Sequence, residues 1–229
     1  MEEIIIKNNQ ITTKTKYNKI LKEAIKQVVN FFGNEKISFK IIFLKRRKDF
    51  DRAVGFKTKR WMVAHTTGDD IIYIFDRDVF NKVSKHKKEY FYSTLVHEIT
   101  HIYTYQKLWF IYPIWLTEGL AYVVAKQLNE IRKYQRRDIT KAHYDSEWFN
   151  NPAYSTSAHF VNYLIKKYGF NKLINLIKNL EEFEKKKSFN KKFKEIYGFS
   201  FSVIGKDFSN NFLPSRKKGK YFLQKIKPN

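Results

Sequence analysis

The chain contains no cysteine. Disulfides and thiolate zinc sites are therefore excluded, and any metal it holds must be bound through His, Asp or Glu. The pattern of a secretory leader is also missing. Met1-Glu2-Glu3 is acidic where a signal would be basic, and Ile4-Ile5-Ile6 is too short an apolar run. No apolar stretch reaches the length of a membrane span; the richest, Leu108 to Val124, is interrupted by Pro113 and Glu118. No internal repeat is visible. These absences lead us to expect a soluble, cytoplasmic protein with no membrane span.

Acidic residues are also in deficit, 22 against 45 Lys and Arg, for a formal net charge of +23. A field of that sign attracts polyanions. The lysines are spread along the chain rather than gathered in one motif, so the expectation is a solvated basic surface with weak, non-specific nucleic-acid binding. A partial exception is the tail, where Arg216-Lys217-Lys218-Gly219-Lys220, Lys225 and Lys227 surround Tyr221 and Phe222. Apolar residues make up 43% and aromatics 17% of the 229 residues, enough to bury a sizeable core.

Along the chain, Ile20, Leu21, Ala24, Ile25, Val28 and Val29 line one side of a helix over 15–33, ended by Gly33. Ser38 to Leu44 is β-branched and aromatic and predicts a strand; Arg47 to Val54 predicts a short helix stopped by Gly55. Two further strands, Arg60 to Thr66 and Ile71 to Phe75, flank a turn at 67–70. Either could be an edge strand able to receive an extended peptide, or both could be interior; periodicity does not separate these. A helix is predicted from about Lys88 to Tyr105, and another carries Glu118 to about Ile131. A polar loop over 132–150 is placed beside the active site. Helices follow over 153–168, 171–183, 189–197 and 201–208. Strands first and helices afterwards predict an α+β fold: a small mixed sheet packed on the helix of the central motif, then a mainly helical part. The expected segments are 1–36 (strand and helix), 37–108 (sheet and motif helix), 109–212 (glutamate helix and helical part) and 213–229 (a flexible basic tail).

The motif is His97-Glu98-Ile99-Thr100-His101. Histidines four apart fall on one face of a helix, one turn from each other, where a single Zn²⁺ can bind both. The glutamate after the first histidine then sits beside the metal's water and can take its proton. A hydrolytic zinc needs a third protein ligand and an open position. Glu118, in Trp115-Leu116-Thr117-Glu118-Gly119-Leu120-Ala121-Tyr122, is a carboxylate on a second apolar helix at a separation suited to a helix–turn–helix return. Gly119 and Ala121 are small enough to let it approach the motif helix closely.

With both segments, the chain resembles the gluzincin metallopeptidases, specifically their small peptidase MA-like, zincin-like domains, from about Phe56 to Gly169. The resemblance implies zinc held by His97, His101 and Glu118, with Glu98 as general base and acid. It also implies a tyrosine that stabilises the oxyanion, which Ala153-Tyr154-Ser155 assigns to Tyr154.

Among the remaining candidates, His159 is expected to be structural, His65 and His86 ordinary, and Tyr122 a packing residue. His143 could be solvent-exposed or could line the site. The expected function is a zinc-dependent peptidase acting on peptide or protein substrates. Two alternatives are a zinc protease that uses its basic surface to reach DNA- or RNA-bound proteins, and a catalytically silent, zinc-stabilised binding module. The presence of Glu98 argues against the last, since a structural site needs no base. The N-terminal segment is a candidate to cover the cleft.

Overall fold

The computed structural model describes residues 2–68, 70–108, 113–130, 138–140, 154–181 and 185–212. His143, the expected loop at 132–150 apart from 138–140, and the tail from 213 lie outside them.

The fold is α+β. Its sheet has five strands among the described residues: β1 (Glu2–Lys7), β2 (Gln10–Ile11), β3 (Phe39–Leu44), β4 (Ala64–Thr67) and β5 (Ile71–Phe75), in the spatial order β2-β1-β3-β5-β4. β3 and β5 run parallel, and the other pairs are antiparallel. Register places Ile4, Ile41, Ile72 and Thr66 in one cross-strand row. Alternation puts that row on a single face of the sheet. Three of its members are fully buried. The fourth, at the edge, is polar and turns the same way.

Two helices cover this face. α1 (Asn18–Phe32) buries Leu21, Ala24, Ile25, Val28 and Val29 at three- and four-residue steps. It lies along α4 (Phe91–Leu108), which buries Phe91, Leu95, Ile99 and Ile102 against the same core. α2 (Arg47–Val54) ends at Gly55, whose φ of 85° lies in the left-handed region that glycine tolerates. A short helix, α3 (Phe80–Val83), leads to a 3₁₀ turn over Lys88–Tyr90 that starts the motif helix.

A second core lies under the C-terminal helices. α5 (Ile114–Val124) directs Trp115, Leu116 and Leu120 into it. There they meet α6 (Tyr154–Tyr168), α7 (Phe170–Lys178), α8 (Lys186–Tyr197) and α9 (Phe201–Asp207). Trp115 stacks on Phe201 with ring centroids 5.4 Å apart and meets Phe160 edge-on at 5.2 Å. Further along α5, Val124 belongs to the sheet core. α5 thus joins the two cores.

Several boundaries differ from the sequence expectation. β4 begins at Ala64 rather than Arg60. Ahead of it, Met62 N–H closes a turn on the Lys59 carbonyl, the Arg47 guanidinium takes the Met62 carbonyl, and His86 binds the Trp61 carbonyl. β4 is the edge strand and β5 is interior. α5 stops at Val124, seven residues short, because Lys126 adopts a φ of 57° and a 3₁₀ turn over Gln127–Asn129 follows. α7 ends at Lys178, and a π turn over Phe208–Phe212 follows α9. Gly119 does allow a close approach, but to α6 rather than to the motif helix. A Cβ there would fall 2.5 Å from Val161 Cγ2 and 2.6 Å from the Ser157 carbonyl oxygen. No helix among the described residues is long and apolar enough to cross a membrane.

Candidate metal centre and its cleft

A cleft of about 510 Å³ opens between α4, α5, the edge strand β4 and the start of α6. All its lining residues among those described fall between Trp61 and Tyr154. No described residue of the N-terminal segment lines it; β1 is built into the sheet.

The geometry begins with α4. One helical turn separates His97 from His101, and their Nε2 atoms lie 3.1 Å apart. α5 returns Glu118 to the same point. Its Oε2 is 3.5 Å from His97 Nε2 and its Oε1 3.7 Å from His101 Nε2. Tetrahedral coordination at about 2.0–2.2 Å sets ligand atoms about 3.4 Å apart. The three separations lie close to that value, so the group could hold one divalent cation. Two imidazole nitrogens and a carboxylate oxygen, with no thiolate in the chain, form the donor set.

The electrostatics follow from the same proximity. Burial raises the pKa of a carboxyl, yet Glu118 lies below its ordinary range because His101 and His97 stand against it. Burial pushes His101 down, with His97's charge adding to the effect. Burial also acts downward on His97, but the hydrogen bond and charge of Glu118 outweigh it and the net shift is upward. Glu118 is thus held ionised, and a cation entering the site would compete with the proton on His97.

Glu98 shares the cleft but is not one of the three converging groups. Its carboxylate is buried, and Oε2 accepts a 2.7 Å hydrogen bond from Thr66 Oγ1. Thr66 reaches it because the cross-strand row turns this edge residue toward α4. The carboxylate lines the cleft outside the three-residue metal group.

Behind His97, Nδ1 lies 3.0 Å from Gln127 Oε1. Gln127 also hydrogen-bonds Glu130, whose Oε2 accepts from Ser93 Oγ at 2.9 Å. Tyr122, expected to be packing, faces the cleft and meets the His97 ring edge-on at 4.9 Å. Tyr154 also lines the cleft, at the start of α6, between Tyr122 at 6.4 Å and Trp61 at 6.1 Å between ring centroids. Burial, then the charges of Glu118 and Glu98, push both phenols well above their ordinary range.

His65 and His86, read from sequence as ordinary, line the cleft. His159 on α6 is outside the lining; burial pushes it down. Sequence reasoning missed Thr66 and Gln127, which stand 32 and 30 residues from the groups they hold. No local spacing signals either one.

Residues 8–208 match the model of a family described as "Peptidase of plants and bacteria". Comparison with curated proteins and with solved structures returned no match. The family match spans most of the chain, which therefore belongs to that peptidase family.

Proposed function

We propose that this chain, as a member of that peptidase family, is a zinc-dependent peptidase of the gluzincin type. The observation that carries the reading is the convergence of His97, His101 and Glu118 on one point, with Glu98 beside them and tied to the edge strand. A zinc ion held by those three side chains would supply a Lewis acid and a water whose pKa is lowered to about 7.

The chain's own groups do the rest. Thr66 engages Oε2 of Glu98, which leaves Oε1 to take the proton of the attacking water. The water oxygen bonds to the scissile carbonyl carbon. As the C–N bond breaks, Glu98 returns the proton to the leaving amine. The Tyr154 phenol, held protonated by its burial, donates to the oxygen on which negative charge develops. No strand among the described residues pairs with the outer edge of β4, so Ala64–Thr67 can accept an extended peptide as a further strand. The substrate then lies across Glu98 and the metal ligands. We assign the net charge of +23 to a solvated surface that binds nucleic acid weakly and without effect on catalysis.

The test is Glu98→Gln. Glutamine is nearly isosteric and cannot accept the proton. The variant should keep near-stoichiometric zinc by elemental analysis while hydrolysis falls by about 10²–10⁴-fold or more. Equal rates of peptide cleavage for wild type and Glu98→Gln would refute the mechanism.

A further inference from the structure

The segment between α2 and β4 exposes apolar and cationic side chains together at the mouth of the cleft. Phe56 and Trp61 are 48% and 47% exposed, although both are large apolar residues that proteins ordinarily bury. Lys57, Lys59 and Arg60, between them, are exposed too, and no carboxylate among the described residues forms a salt bridge with any of the three. The segment itself contains no acidic residue.

Its backbone is nonetheless fixed. Arg47 donates from Nη1 to Thr58 Oγ1 at 3.0 Å and to the Met62 carbonyl at 2.6 Å, and from Nη2 to the Val83 carbonyl at 2.8 Å. The guanidinium also lies over the Phe75 ring, 4.5 Å from its centroid. Asp51 Oδ1 accepts from the Thr58 N–H at 2.9 Å. His86 Nε2 sits 2.8 Å from the Trp61 carbonyl oxygen. A segment clamped at both ends that still presents two aromatic rings and three cations to solvent is preorganised for a ligand.

It is also continuous with the cleft. Trp61 meets Tyr154 edge-on, and Phe56 meets the cleft-lining His65 edge-on at 6.0 Å. Apart from Glu98 and Glu118, the described residues of the cleft wall include no carboxylate. Trp61, itself part of the cleft wall, thus joins this aromatic and cationic segment to the cleft that holds Glu98 and Glu118.

We propose that Phe56–Trp61 is a substrate-recognition rim that selects extended peptides carrying acidic side chains beside an apolar residue. Trp61 and Phe56 provide the platform for the apolar side chain, and Lys57, Lys59 and Arg60 attract the carboxylates. This rests on the peptidase reading for the position of the substrate, but the rim can be tested by binding alone.

The probes are a short fluorescein-labelled peptide with Asp and Glu flanking a Phe-Leu pair, and its Lys and Arg counterpart. Affinity is measured on Glu98→Gln by anisotropy, and kcat/KM on the wild type. We expect the acidic peptide to bind about tenfold more tightly at low salt, and the preference to shrink as salt screens it. The combined variant Lys57→Glu, Lys59→Glu, Arg60→Glu should reverse the preference. The same charge change on α8, at Lys187, Lys191 and Lys194, should leave it in place, which separates the rim from the overall field. Trp61→Ala should weaken both peptides. Equal affinities, or a preference that survives reversal of the rim, would overturn the proposal. So would tighter rim-dependent binding of a single-stranded oligonucleotide than of the acidic peptide. If the acidic peptide binds through the rim but is never cleaved, the rim stands and the peptidase reading falls. If both peptides are cleaved equally by wild type and rim variant, the peptidase reading stands and the rim falls.

Discussion

Gln127 holds His97 from behind. Its Oε1 lies 3.0 Å from His97 Nδ1, an acceptor for an Nδ1–H, and this leaves the Nε2 edge of the ring facing His101 and Glu118. That contact depends on the early end of α5, where the left-handed Lys126 turns the chain back toward α4.

The first prediction follows from it. Gln127→Leu removes the acceptor while keeping similar bulk. Metal affinity should fall by about 10–100-fold, as is usual for the loss of a partner that orients a ligand. A competition titration against a chelator measures this, with circular dichroism confirming that the fold is kept. Unchanged affinity would show that His97 is oriented by its packing against Tyr122 alone.

The second concerns Tyr154. A donor aimed at developing charge acts in the transition state, so Tyr154→Phe should lower kcat by about 10²–10³ with a smaller change in KM. Steady-state kinetics on one cleaved peptide decides it. A variant with wild-type kcat would remove Tyr154 from the mechanism and leave it as a cleft-wall residue packed between Tyr122 and Trp61.

Much of this architecture is local and therefore legible in the sequence. The alternation of Phe39, Ile41 and Phe43, and of Ile72 and Ile74, marks the buried face of the sheet. The four-residue spacing of His97 and His101 fixes their common direction by helix geometry alone. What could not be read is what the chain brings together over distance. Thr66 meets Glu98 only because strand register aligns it with Ile72, Ile41 and Ile4. Gln127 looked like one more residue of a long helix. His65 and His86 form no pattern with the motif, yet the fold carries them to its cleft. The carbonyls at Lys59, Trp61 and Met62, taken by a turn, by His86 and by Arg47, shortened a strand that β-propensity alone would have begun at Arg60.

The third prediction is that Gly119→Ala is costly although alanine favours helices. The new Cβ would meet the Ser157 carbonyl oxygen at 2.6 Å and Val161 Cγ2 at 2.5 Å. The valine can rotate, but the α6 backbone cannot yield without moving Tyr154. Overpacking of this kind costs about 1–3 kcal/mol. Urea unfolding should show the loss, and kcat should drop with it because Glu118 and Tyr154 sit on the two helices forced apart. Wild-type stability and rate would mean that α5 and α6 separate freely here.

The fourth prediction concerns removal of the proposed metal. His97 and His101 stand on α4, whose apolar face belongs to the sheet core; Glu118 stands on α5, which sends Trp115, Leu116 and Leu120 into the helical core. A cation bound by all three side chains ties the two cores together and binds only the folded chain. At 100 times its Kd it adds about 2.7 kcal/mol of stability. Chelation should therefore lower the Tm of the wild type, and adding zinc back should restore it. His101→Ala should melt at one temperature with or without chelator, since its loss leaves only one imidazole and one carboxylate. A chelator shift of equal size in His101→Ala would place the stabilising metal somewhere other than between α4 and α5.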